Sequence, residues 1–256
     1  MSGAHDSREL ERRDVALRPP GLPQVPWGVP EGIGAFAGCV LLQLVVGALF
    51  GVEPDDLAVQ MKATAASDVA VLILIYVLVR VWSGARQSPA GLLGLRRTDW
   101  RTVARAWRVV AAGAAAYVAV VLVIGSVLYY FGSDWEVPAQ PLVRLIARTE
   151  SAALVAFSCL VAMVVVPVME EVLFRSVLYL PLRDRLGVIP AALIISALFA
   201  AVHAYPWGTA NLIVLSLTFV ALFERTGTLW APIAAHGLYN GLMILLVRAD
   251  LVPLPG

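Results

Sequence analysis

Five stretches of this chain, residues 109–133, 151–169, 186–202, 204–223 and 226–247, contain no Asp, Glu, Lys or Arg. A bilayer core of about 30 Å asks for about 20 predominantly apolar residues per helix. Backbone inside lipid must satisfy its own hydrogen bonds, which a helix does internally. A chain with five such stretches is a membrane bundle. The composition agrees, with 60% apolar and 14% charged residues against about 45–50% and about 25% in soluble domains. Mean hydropathy is +0.81. These values exclude a soluble globular class, the net charge of +1 says little, and no nucleic-acid partner is expected.

The apolar runs predict seven helices, roughly over 32–52, 65–82, 106–131, 150–180, 187–205, 208–224 and 229–248. The fold class is therefore all-α, a polytopic membrane bundle of about seven spans. Three regions are expected: a flexible cytoplasmic tail over 1–31, N-terminal transmembrane helices over 32–135, and a helical core over 140–248. The tail is polar and proline-rich (RPPGLPQVPWGVPEG), suited to an extended tether and unlike a cleavable leader. Within the second region, 84–105 (GARQSPAGLLGLRRTDWRTVAR) reads as a basic connection lying along a membrane surface. Cys39 and Cys159 sit in apolar runs without CxxC spacing and read as packing residues.

Orientation follows from the basic residues. With the N-terminus cytoplasmic, 14 arginines fall on the inner face and only Lys62, Arg144, Arg148 and Arg248 on the outer. A multi-pass protein of the cell (inner or plasma) membrane is expected, with the lipid bilayer as its surroundings. The fourth segment is too long for one straight crossing, since 31 residues of helix reach about 45 Å. Pro167 is expected to kink it.

Charges inside a membrane cost about 2.5–3.5 kcal/mol each on insertion scales, so they mark function by default. The inventory is Glu170, Glu171 and Arg175 in the fourth segment, His203 in the fifth and His236 in the seventh. Glu171 and Arg175 stand at i,i+4 and can neutralise each other, while Glu170 is rotated by about 100° toward another neighbour. His236 and Asn240, and likewise Phe199 and His203, repeat the i,i+4 spacing. Three helices thus each offer one polar face, and such faces turn inward together. An interhelical ion pair is the structural alternative for the charged cluster, and an interhelical hydrogen bond for Asn240. Asp68, Arg80 and Glu224 fall near predicted helix ends and receive no role. Hydropathy places His203 near the outer end of its helix and His236 in the inner third of its own. A shared site therefore needs the fifth helix shortened, tilted or started later.

EEVLFR (170–175), FAAVH (199–203) and HGLYN (236–240) resemble the EExxxR, FxxxH and HxxxN motifs of the CAAX prenyl endopeptidase family, also called CPBP or Abi-type intramembrane proteases. The resemblance covers about residues 140–248. It implies an endopeptidase acting on a peptide or protein substrate at the membrane. It implies Glu170 as the base that activates a water, with His203 assisting. His236 and Asn240 would stabilise the oxyanion, with Glu171 completing the catalytic set. Arg175 and Phe199 would give structural support. Low-dielectric surroundings suit a carboxylate to this task, and asparagine is a good oxyanion donor. The metal question stays open: His203, His236 and Glu171 are the candidate ligands of a catalytic zinc, two histidines and a glutamate being sufficient. The Ala-, Arg-, Val- and Leu-rich composition looks bacterial, so a secreted peptide precursor or membrane-anchored regulator is a more plausible substrate than a prenylated tail. The alternative of another class is a non-proteolytic immunity or scaffold protein of the same fold. A transporter would be expected to show internal repeats or paired broken helices, and the sequence shows neither.

Overall fold

The computed structural model describes residues 22–53, 56–84, 87–97, 141–205 and 208–249, with isolated positions between 99 and 108. The helix expected over 106–131, and residues 1–21 of the expected tail, lie outside these apart from two positions. Among the described residues the elements are helical: α1 (Val29–Phe50), α2 (Leu57–Trp82), the single turn α3 (Pro89–Leu92), α4 (Pro141–Arg148), α5 (Ala152–Leu186), α6 (Val188–Val202), α7 (Thr209–Thr226) and α8 (Trp230–Arg248). Five of them (α1, α2, α5, α7 and α8) are long and apolar enough to cross a membrane, and α6 is a shorter apolar helix. The chain is a multi-pass helical membrane protein.

Helix starts follow local chemistry. The Asp56 side chain accepts from the Val59 amide at 3.0 Å, so α2 begins eight residues before the expected start. That correction moves Asp68 from a helix end into the interior of a span, where it is 1% exposed. At the start of α1, the Glu31 carboxylate accepts from the Gly28 amide at 2.9 Å. The chain before it is packed rather than free, which corrects the flexible tail at its C-terminal end. Trp27 is buried, stacks near Trp82 with ring centroids 5.3 Å apart, and donates its indole N–H to Val177 O at 3.1 Å. Its partners are protein groups.

The long α5 is continuous, and its turns widen to π geometry at Val161–Val165 and again at Val172–Tyr179. The proline expected to kink it sits just after the first wide stretch. In π geometry the partner of Ala162 O would be the N–H of residue 167, which proline lacks. Asn240 of α8 supplies that bond instead, its Nδ2 lying 2.8 Å from Ala162 O. One residue on, Met163 O rests against Gly237, where an added Cβ would come within 2.1 Å. Small residues at such crossings let helices approach closely where lipid gives no hydrophobic drive to associate.

The stretch around α3 is clamped to the bundle. Leu92 and Leu93 are buried, Leu93 O accepts from Ser176 Oγ at 2.7 Å, and Gly94 O accepts from the Leu229 amide at 2.9 Å. Thr228 Oγ1 donates to Arg96 O at 3.0 Å. This part of the expected surface-lying connection therefore turns its leucines to protein. Nearby, Glu224 is buried between the Arg183 guanidinium and the Tyr179 hydroxyl, a clamp between α5 and α7 rather than a snorkelling end charge.

Candidate active site

Three elements converge on one point. Glu170 Oε1 stands 3.9 Å from His203 Nε2, and Glu170 Oε2 stands 3.7 Å from His236 Nε2. The shortness of α6 makes this possible. Its 15 residues rise about 22 Å, less than a full crossing, so His203 at its C-cap ends at the depth of the other two residues. The chain turns immediately afterwards through Ala204, which has φ 46°. This settles the mismatch in depth read from hydropathy: the fifth helix is shorter than expected.

Each imidazole is oriented through its other nitrogen. His203 Nδ1 lies 2.6 Å from Phe199 O, one turn back on α6. A carbonyl oxygen only accepts, so that nitrogen carries the proton and Nε2 keeps its lone pair. His236 Nδ1 lies 3.0 Å from Glu171 Oε1, and Glu171 Oε2 is paired with Arg175 Nε at 3.0 Å. A carboxylate held by a guanidinium is an acceptor too, so His236 takes the same tautomer. Both Nε2 lone pairs then face Glu170.

Arg175 is fully buried. Its Nη2 donates to Ser216 Oγ at 3.0 Å and to Ser216 O at 3.2 Å. The guanidinium carbon sits 5.1 Å from the Phe199 ring centroid and 5.4 Å from that of Phe219. Phe219 also stacks on His236, with centroids 4.9 Å apart and rings 24° from parallel. Aromatic faces carry partial negative charge and so favour a cation that has left water. Phe199 touches both histidines as well, with centroids 4.5 Å from His203 and 6.0 Å from His236.

The structure thus gathers Glu170, Glu171, Arg175, Phe199, His203 and His236 into one contact network, with Asn240 one turn from His236. One amide proton of Asn240 is taken by Ala162 O, which is the interhelical bond considered from sequence. Ser216 and Phe219 were not singled out in the sequence. They lie on α7, whose run of apolar and small polar residues gives no spacing signal. The expected metal set of His203, His236 and Glu171 is not assembled. Glu171 lies at Nδ1 of His236, opposite the Nε2 that faces Glu170. Among the described residues, no three His, Cys, Asp or Glu side chains are grouped so as to hold a metal ion.

Residues 152–242 match the family model of the type II CAAX prenyl endopeptidase Rce1-like proteins. This segment is similar to the CAAX protease family. Every residue of the network, from Glu170 to Asn240, lies inside the matched segment, which leaves α1, α2, α3 and α4 outside it. The chain is also 31% identical over 87 residues to "Putative membrane peptidase YdiL" of Bacillus subtilis (strain 168), a match covering 34% of this chain. The match spans 36% of that protein's length, about a third. No solved structure matches the chain.

Proposed function

We propose that this protein is an intramembrane endopeptidase of the cell membrane, its N-terminus cytoplasmic, in which Glu170 activates a water to attack a peptide bond. One observation carries the reading: each oxygen of Glu170 faces an imidazole Nε2 from a different helix, at 3.9 and 3.7 Å. Those spans exceed a direct hydrogen bond and suit a bridging water. Glu170 and both Nε2 atoms are acceptors, so the group that belongs among them is a donor, and water is one.

The residues then divide the work. Glu170 removes a proton from the water, and His203 Nε2 accepts its other hydrogen bond and fixes its direction. As the tetrahedral intermediate forms, Glu170 passes that proton to His236 Nε2, which faces its Oε2, and the imidazolium becomes a donor to the oxyanion. Glu171 stabilises the resulting imidazolium through Nδ1, as a buried carboxylate does for a general-base histidine. The amide proton of Asn240 not bonded to Ala162 is available to the same oxyanion. As the intermediate collapses, the proton taken from the water returns from His236 through Glu170 to the leaving amine, so that both residues end as they began. Donors of this kind, in a water-poor site, contribute about 3–4 kcal/mol each to the transition state.

Cleavage of membrane-tethered peptides by the purified full chain in lipid nanodiscs tests the proposal, with wild type beside Glu170→Gln. Glutamine has the same shape and cannot act as a base, so cleavage should fall at least about 10³-fold while the melting temperature holds. A Glu170→Gln variant that still cleaves sinks the mechanism. A zinc chelator in parallel decides whether the wild-type reaction needs a metal. A well-folded wild type that cleaves none of the peptides would favour the scaffold reading.

A further inference from the structure

Beside Glu170 and Glu171, a further carboxylate, Asp68, is buried in the same bundle, and the motifs do not include it. It lies on the inward stripe of α2 formed by Met61, Asp68, Val71 and Ile75, all buried. Met61 packs in one cluster with Val161, Ala162 and Ile244, while Val71 and Ile75 belong to the larger cluster that contains Met169 and Val172. Asp68 therefore stands between the level of Ala162 and that of Met169, within about one turn of Glu170 along α5.

One oxygen of Asp68 is accounted for: Gln43 of α1 donates to Oδ1 at 3.1 Å. Oδ2 is buried and has no hydrogen-bond partner among the described residues. Glu170 Oε2 and Glu171 Oε2 are also buried without a hydrogen bond, but each of the other buried carboxylates faces a basic side chain. Glu171 is paired with Arg175, Glu224 with Arg183, and Glu170 faces two imidazoles. Among the described residues no cation is paired with Asp68. A carboxylate with an unfilled lone pair at this depth is expensive. Along α5 it stands at about the level of the proposed base.

Resting on the endopeptidase reading, we propose that Asp68 is a specificity-determining residue that binds a cationic group of the substrate close to the scissile bond. The group is an ammonium or guanidinium donating to Oδ2, carried by a side chain or by a free peptide N-terminus. One helical turn is about 5.4 Å and an extended peptide advances about 3.3 Å per residue. The cation is accordingly expected roughly two residues from the bond that Glu170 serves. Gln43 holds the carboxylate so that Oδ2 stays available.

The test separates this inference from the mechanism by reading binding, not cleavage. Full-length Glu170→Gln protein in nanodiscs is titrated with lipid-tethered peptides in which a single lysine is moved along the sequence. Each peptide is paired with its acetyl-lysine counterpart, and the series is repeated with free and acetylated N-termini. At one position the lysine peptide should bind about 10-fold or more tightly than its neutral counterpart, as a charge-assisted hydrogen bond implies. That preference should vanish when Asp68→Asn is added, since asparagine keeps the Gln43 bond and removes the charge. If instead the free N-terminus gives the Asp68-dependent gain, the cation is an α-amine. Equal affinities at every position and both termini, or a preference that survives Asp68→Asn, overturn the proposal. Because cleavage is not measured, either result leaves the role of Glu170 to its own experiment.

Discussion

At the residue scale, the instructive pair is Glu171 and Arg175. Their i,i+4 spacing was legible because two opposite charges in an apolar run have little else to do. What the spacing could not show is what each does with its remaining atoms. Glu171 reaches across to His236 Nδ1, and Arg175 reaches Ser216 and lies against Phe199 and Phe219. Those partners are distant in sequence and belong to residue types that sit in any membrane helix. Asp68 escaped for a related reason: a helix start set by Asp56 moved it inward, and short polar caps are weak signals beside a hydropathy run. Removing one member of a buried pair leaves the other uncompensated. Arg175→Ala should therefore destabilise the protein by about 3–5 kcal/mol, seen as a large fall in melting temperature. The double variant Glu171→Leu with Arg175→Met should recover most of that stability, because no charge is stranded, yet remain inactive, because His236 has lost its orienting carboxylate. A double variant with wild-type cleavage would show that the pair only holds the bundle together.

At the element scale, α5 shows why a motif is not yet a site. Pro167 marks a break in the helix from sequence, and a kink is the ordinary expectation. The observed solution is two widened stretches that keep the helix continuous while freeing carbonyls. Asn240 serves Ala162 O, Trp27 serves Val177 O, and the Met163 carbonyl fits against Gly237. The widening could not be read from sequence, because it depends on donors from α8 and from the residues before α1. It also gives the small residue in HGLYN a definite task. A methyl at Gly237 would meet Met163 O at 2.1 Å, backbone that cannot swing aside. Gly237→Ala should push α8 off α5, cost about 1–3 kcal/mol by overpacking, and lower cleavage at least about 10-fold by drawing His236 away from Glu170. Gly34→Ala is the matched control, since a Cβ there meets nothing within 4 Å. Equal behaviour of the two variants in thermal melts and in cleavage would remove the packing argument.

At the scale of the whole molecule, the bundle has two distinguishable ends, and contacts among its elements identify them. Trp27 before α1 meets Trp82 at the end of α2 and Val177 in the second wide stretch of α5. Arg183 near the end of α5 meets Glu224 near the end of α7, and the α7–α8 turn holds the strap around Gly94. These groups share one end. At the other, Arg248 at the end of α8 donates to Ile146 O and Thr149 O, just before the start of α5. The basic residues divide unevenly between the ends: Arg80, Arg96, Arg97, Arg183, Arg185 and Arg225 lie with the first, and Lys62, Arg148 and Arg248 with the second. Positive residues are retained on the cytoplasmic side, so the first end should be cytoplasmic. Single cysteines tested with a membrane-impermeant maleimide on intact cells check this. The chain's own Cys39 and Cys159 lie within apolar helices, one buried and one half-buried. Ser83→Cys and Gly187→Cys should stay unlabelled until the cells are opened, whereas Glu150→Cys and Ala249→Cys should label from outside. Labelling with the two pairs exchanged would invert the protein in the membrane. Labelling of Ser83→Cys and Glu150→Cys from the same side would contradict the assignment of ends itself, because α2 finishes at one and α5 begins at the other.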